Sequence, residues 1–139
     1  SEAADRFIQT LAVNDFSKES ELLHQSVYNP CQTDEELAER YAAGKSGTDY
    51  GFYVPETLAI AYDIFLGAGG DMSAAVYRAV NLGGDSDSTA SIVAAMIACQ
   101  SGGAYKEPPD MESVQGIEQL RTVSTQLAEA ALRRTVKLG

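Results

Sequence analysis

The sequence predicts an all-α fold, and three observations carry that prediction. Apolar residues recur at spacings of three and four over most of the chain, the period of a helix face rather than of a strand. Residues that cap helix starts stand just ahead of those stretches, as Thr33 with Glu36 three residues on, and again as Asp71. Glycine and proline clusters break the periodic stretches apart at Gly67-Ala68-Gly69-Gly70, Gly83-Gly84, Gly102-Gly103 and Pro108-Pro109.

Taken in order, Leu22, Leu23 and Val27 predict a short helix after Ser17. Thr33-Asp34-Glu35-Glu36 forms a capping box that opens a helix reaching about Ala43. Gly44 to Tyr53 reads as a loop with three glycines, and Pro55 suits the first turn of the helix that follows. In that helix Leu58, Tyr62, Phe65 and Leu66 share one face, and Gly67-Ala68-Gly69-Gly70 stops it. Asp71 caps a helix to about Asn81. From Ser86 to about Gln100 the chain is apolar on every face, Ala90-Ser91-Ile92-Val93-Ala94-Ala95-Met96 at its centre, which predicts a helix buried on all sides. A strand is the competing reading of Ile92-Val93, but the alanines and the length oppose it. A last helix carries Ile117, Leu120, Leu127 and Ala131 on one face and ends in Arg133, Arg134 and Lys137, charges that suit a helix C-terminus.

The bulk numbers exclude some partners. The 139 residues make one ordinary domain, 45% of them apolar, with a net charge of -10. An acidic chain repels phosphate backbones, so no nucleic-acid partner is expected. No apolar run approaches a membrane span, no basic cluster suits an anionic bilayer, and the start lacks the pattern of a signal peptide. Cys31 and Cys99 lie outside any CxxC or Cys/His cluster, which argues against zinc, and Cys99 in its apolar stretch reads as a buried free thiol. A reducing, cytoplasmic setting is the expectation. His24 reads as a surface residue, and Glu19, Glu21, Glu35, Glu36 and Glu39 as solvated helix faces. Gly67-Ala68-Gly69-Gly70 lacks the Lys-Ser/Thr of a phosphate loop. Residues 1–139 are expected to form a single helical domain, or the C-terminal segment of a larger one; Ser1 in place of Met fits a processed product as well as a fragment.

The most informative stretch is Asn81-Leu82-Gly83-Gly84-Asp85-Ser86-Asp87-Ser88-Thr89. Two glycines allow a turn that side chains would obstruct, and two carboxylates with several hydroxyls follow at the mouth of a helix. Hard cations such as Mg²⁺ take oxygen ligands of this kind. Asp85 and Ser88 are three apart, on one side of the first helical turn, and Asp87 lies between them. The helix dipole disfavours a cation there, but two formal charges outweigh a partial one. Asp and Ser are also the favoured caps of helices, so from spacing alone capping is the stronger reading and a metal site the weaker.

With Tyr53-Val54-Pro55-Glu56-Thr57-Leu58 ahead of it and Ala79-Val80 leading in, this loop resembles the ADP-ribosylglycohydrolase family, whose members have an aromatic-rich loop, a helix opening near Glu-Thr-Leu, and Gly-Gly-Asp-Thr-Asp-Thr before an alanine-rich helix. The specific match runs from about Gly47 to Gly103 and reverses the order of the two readings. The resemblance implies an orthogonal multi-helix bundle and a hydrolase that removes ADP-ribose from modified side chains or cleaves related conjugates. It implies a pair of Mg²⁺ ions, Mn²⁺ in some members, held by Asp85, Asp87 and Ser88. Ser88 stands where Thr is usual, Ser86 replaces the intervening Thr, and Thr89 is a second hydroxyl able to compete with Ser88. It places Tyr50, Gly51, Phe52 and Tyr53 at the substrate; the bland alternative is that Phe52 and Tyr53 only pack over the helix from Pro55.

The family's N-terminal half carries an early Gly-Asp-x-x-Gly element, a Thr-Asp-Asp metal motif and the catalytic acid, and none of these is present here. Thr33-Asp34-Glu35 looks similar but lies too close to the aspartate loop and has a sufficient role as a cap. The resemblance therefore implies half a site, a catalytic residue unknown in this sequence, and an N-terminal half of the same fold as partner. An incomplete bundle would expose apolar surface, so self-association or a tight partner is expected. A family relative without catalysis, acting as a binding or structural protein, is the alternative.

Overall fold

The protein is described from a computed structural model covering residues 2–13, 17–45, 49–102 and 110–136. Among these the fold is all-α, with α1 (Glu2–Val13), α2 (Ser17–Tyr28), α3 (Asp34–Leu37), α4 (Val54–Gly67), α5 (Met72–Leu82), α6 (Ser86–Gln100) and α7 (Ile117–Val136). The chain divides into two compact units, residues 1–105 and 106–139. The second holds a short 3₁₀ turn, Met111–Ser113, and α7. Along α7 Leu120, Val123, Leu127 and Leu132 are exposed, and Arg133 and Arg134 lie in its last turn.

The helix starts follow local chemistry. Thr33 accepts the N–H of Glu36 at 3.1 Å while the Glu36 carboxylate takes the N–H groups of Gln32 and Thr33 at 2.6 and 3.2 Å. Those N–H donors, Gln32 first, hold the Glu36 carboxyl below its ordinary range. Asp71 caps α5 through the N–H of Ala74 at 2.9 Å. Pro55 occupies the first turn of α4, where its missing N–H costs nothing. The helix opened by Thr33 reaches Ala42 as expected, but Ala38–Ala42 winds as a wider π-helix.

In the first unit α4 is central. It packs against α2, α5 and α6, and α2 in turn against α1; α5 lies along α6. Ala59, Ile60, Ala61 and Ile64 of α4 are fully buried, the alanines letting neighbouring helices approach closely. Each buried isoleucine contributes roughly 1.5–3 kcal/mol of apolar transfer. The face expected to be the core side, Leu58, Tyr62 and Phe65, is only half-buried, and Leu66 is exposed. Large residues mark a helix face in a sequence, whereas on α4 the alanines Ala59 and Ala61 are among the most deeply buried residues.

Two further expectations are corrected. α6 is not buried on all sides: Thr89, Val93 and Ile97 form its buried stripe at four-residue spacing, while Ser91, Ala95 and Cys99 face outward. Alanine is apolar yet cheap to expose, so an alanine-rich helix looks more buried than it is. Cys99 is accordingly exposed, and it is Cys31 that is the buried thiol. α1 follows from none of the expectations above; its Ile8 carbonyl accepts the Ser20 hydroxyl of α2 at 3.0 Å. His24 is exposed as expected, its ring 4.6 Å from that of Tyr28. Gly103, Pro108, Pro109 and Lys137 lie outside the described residues.

A buried polar knot joins three segments around Asp63, the one charged residue on the inner side of α4. Its carboxylate accepts the Cys31 N–H at 2.8 Å, the Arg40 guanidinium at 3.0 Å to each oxygen, and the Tyr41 hydroxyl. Tyr41 shares a 2.8 Å hydrogen bond with Ser26 of α2. Arg40 and Tyr41 are consecutive, yet both reach one carboxylate from the widened turn.

Candidate functional site

The aspartate loop sits between α5 and α6. Gly83 and Gly84 take φ of 86° and 64°, the left-handed region that glycine enters freely. Asp85 stands at the N-cap of α6, yet its side chain makes no capping hydrogen bond. Its backbone carbonyl accepts both the Thr89 N–H at 3.1 Å and the Thr89 hydroxyl at 2.9 Å. The buried Thr89 hydroxyl therefore serves the backbone, which separates it from the half-buried Ser88.

The exposed Asp87 carboxyl neighbours that of Asp85. This contact, followed by the N–H groups of Ser88 and of Asp87 itself, holds Asp87 below the ordinary carboxylate range. Neighbouring carboxylates repel when both are ionised, and a divalent cation between two of them removes that cost. The donor set, two carboxyl groups with a neighbouring hydroxyl, suits a hard cation but is short of its six oxygens. Among the described residues no three His, Cys, Asp or Glu side chains converge into a metal cage.

The aromatic loop packs directly on the aspartate loop. The Asp85 N–H donates to the Tyr50 carbonyl at 3.0 Å, and the Tyr50 hydroxyl donates to the Leu82 carbonyl. A Cβ on Gly84 would stand 2.7 Å from Cδ2 of Tyr50, and one on Gly51 would stand 3.3 Å from the Asp85 Cβ. From the other side Glu56 accepts the Gly51 N–H at 2.8 Å, Thr57 donates to the Gly51 carbonyl at 2.5 Å, and Lys45 pairs with Glu56. The four candidate substrate residues thus divide. Tyr50 and Gly51 are buried against the aspartate loop, whereas Phe52 and Tyr53 are 66% and 50% exposed. Tyr53 reaches Glu19 of α2 at 3.1 Å.

An ADP-ribosylglycohydrolase family model matches residues 2–138. The chain belongs to the ADP-ribosylglycohydrolase family. The match extends well beyond the stretch whose motifs carry the resemblance, taking in the capped helix from Thr33 and α7. Membership establishes a glycohydrolase fold of helices whose members act on ADP-ribose conjugates. No curated protein and no solved structure matches the chain. No helix among the described residues is long and apolar enough to cross a membrane.

Neither the buried Asp63 of the polar knot nor Glu56 and Thr57, which build the site, stood out in the sequence as such. Asp63 had a signal: a lone acid amid Ala61, Tyr62, Ile64 and Phe65 is expensive to bury and needs a partner. Glu56 and Thr57 had none beyond their place in the motif, because their partners are backbone atoms of a loop five and six residues upstream.

Proposed function

We propose that this chain supplies half of a divalent-metal site in a hydrolase that releases ADP-ribose from modified protein side chains or related ADP-ribose conjugates. Asp85, Asp87 and Ser88 would hold Mg²⁺, or Mn²⁺ in its place, as part of a two-ion centre. The remaining ligands and the catalytic acid come from an N-terminal half of the same fold. The observation that carries the reading is the pair of neighbouring carboxyl groups at the start of α6, with the Asp85 side chain not spent on capping. A helix start that existed only for capping would direct that side chain to the N–H groups two or three residues ahead of it.

When bound, such ions supply Lewis-acid polarisation of ribose hydroxyls and of water. The chain's own residues do the rest. Asp85 and Asp87 bring negative charge to one point, Tyr50 and Gly51 fix the height of Asp85, and Phe52 and Tyr53 offer aromatic faces to a nucleotide or ribose. A cytoplasmic location accords with free thiols at Cys31 and Cys99.

The test is release of ADP-ribose from ADP-ribosylated protein by the whole natural gene product, with Mg²⁺ or Mn²⁺ present. Asp85→Asn together with Asp87→Asn is expected to lower the rate by at least ~10²-fold, the scale of losing electrostatic stabilisation. Full activity in that variant defeats the reading. A natural product with no release at all, and no change in its biological role on the same substitutions, favours a non-catalytic binding or structural relative.

A further inference from the structure

We propose that Glu56 is a positioning residue for Asp85, acting through the Tyr50–Gly51 backbone as a strut between α4 and the aspartate loop. The inference rests on the metal reading of that loop and adds to it how the loop is held. On the α4 side the strut is gripped twice, by the Glu56 carboxylate on the Gly51 N–H at 2.8 Å and by the Thr57 hydroxyl on the Gly51 carbonyl. On the loop side it is gripped twice again, by the Asp85 N–H on the Tyr50 carbonyl at 3.0 Å and by the Tyr50 hydroxyl on the Leu82 carbonyl.

The strut transmits position because nothing soft lies within it. Gly51 and Gly84 have no side chains to yield, and the backbone of one loop is in contact with the backbone of the other. Asp85 also lacks a side-chain cap to fix it to α6. Its carbonyl is held by Thr89 of α6, while its N–H is held by the Tyr50 carbonyl, which shares a peptide group with the Gly51 N–H that Glu56 accepts. Lys45 occupies the second oxygen of Glu56 and lies 5.8 Å from the centre of the Tyr50 ring, so it orients the carboxylate toward Gly51.

A purely structural role exists for Glu56, since an acid in the first turn of α4 complements the helix dipole. Two substitutions separate the roles: Glu56→Gln removes the charge and keeps an acceptor for the Gly51 N–H, whereas Glu56→Ala removes both. Tyr50→Phe loosens the strut from its other end and covers the case in which Glu56→Ala does not fold.

The experiment is amide hydrogen exchange of the whole natural gene product by NMR, with broadening of the same amides by Mn²⁺ as probe. Glu56→Ala and Tyr50→Phe are expected to speed exchange of the Asp85 amide about tenfold relative to amides inside α6, with Glu56→Gln within about twofold of the original chain. Mn²⁺ broadening centred on Ser86 to Ser88 should weaken in the same order. Unchanged Asp85 exchange in both disruptive variants overturns the proposal, as does Glu56→Gln behaving like Glu56→Ala, which would assign Glu56 to the helix dipole. Exchange differences as expected, with no Mn²⁺ response in the original chain, support the strut and sink the metal reading instead.

Discussion

Replacing Asp63 by Asn isolates the electrostatics of the buried knot, because volume is conserved. The carboxylate accepts from Cys31, Arg40 and Tyr41, all donors. Asn keeps one oxygen and turns an NH₂ group toward at least one donor that has lost its acceptor. A charge-assisted hydrogen bond is worth about 1.5–3 kcal/mol, and orphaning one partner of a fully buried ion pair costs about 3–5 kcal/mol. The Arg40 side chain is 20% exposed, so water replaces part of what it loses, and the lower end applies. The expected cost is about 3 kcal/mol, a large fraction of the ~5–15 kcal/mol that holds a typical domain. Arg40→Met removes the cation that needs the carboxylate, so Asp63→Asn in that background should cost only about 1 kcal/mol. Urea unfolding followed by far-UV circular dichroism on the four chains of the cycle gives the coupling. A coupling below about 0.5 kcal/mol would mean that the pair is not energetically joined and would refute the reasoning.

Three further perturbations have definite expectations. Gly84→Ala forces a side chain into the left-handed region and against Tyr50, costing roughly 2–4 kcal/mol, measurable as a lowered urea midpoint. Thr33→Ala removes a capping box and should cost about 1 kcal/mol by the same measurement. Burial first, and the Asp63 carboxylate next, push the Cys31 thiol up to about 11, and the same two causes raise Tyr41. The folded chain then keeps protons that the unfolded chain releases. The Cys31 contribution is complete below the unfolded thiol value of ~8.5 and is lost as pH rises toward about 11. Stability should fall across that window, and iodoacetamide in native buffer should alkylate Cys99 while sparing Cys31.

What the sequence made legible was set by how local its causes are. The caps at Thr33 and Asp71, the proline start of α4 and the glycine stop after it all act within four residues, and each is where the pattern put it. The aspartate loop was legible as a candidate site because its ligand-type residues are contiguous. What escaped depends on distance. Asp63 meets Cys31, 32 residues upstream, and Tyr50 meets Leu82, 32 residues downstream. The π-helical turn is equally silent in sequence, since it is required by two consecutive side chains reaching one buried acid. The burial of α6 was overstated for a different reason, because apolarity and burial part company in alanine.

The division of the aromatic loop has a consequence for sequence variation. Positions 50, 51 and 84 meet through backbone and glycine contacts that admit few replacements, whereas Phe52 and Tyr53 project away from them. Residues at 52 and 53 can therefore be exchanged without disturbing the loop beside them. Drift across related chains should concentrate there, while the geometry around the aspartates is inherited unchanged.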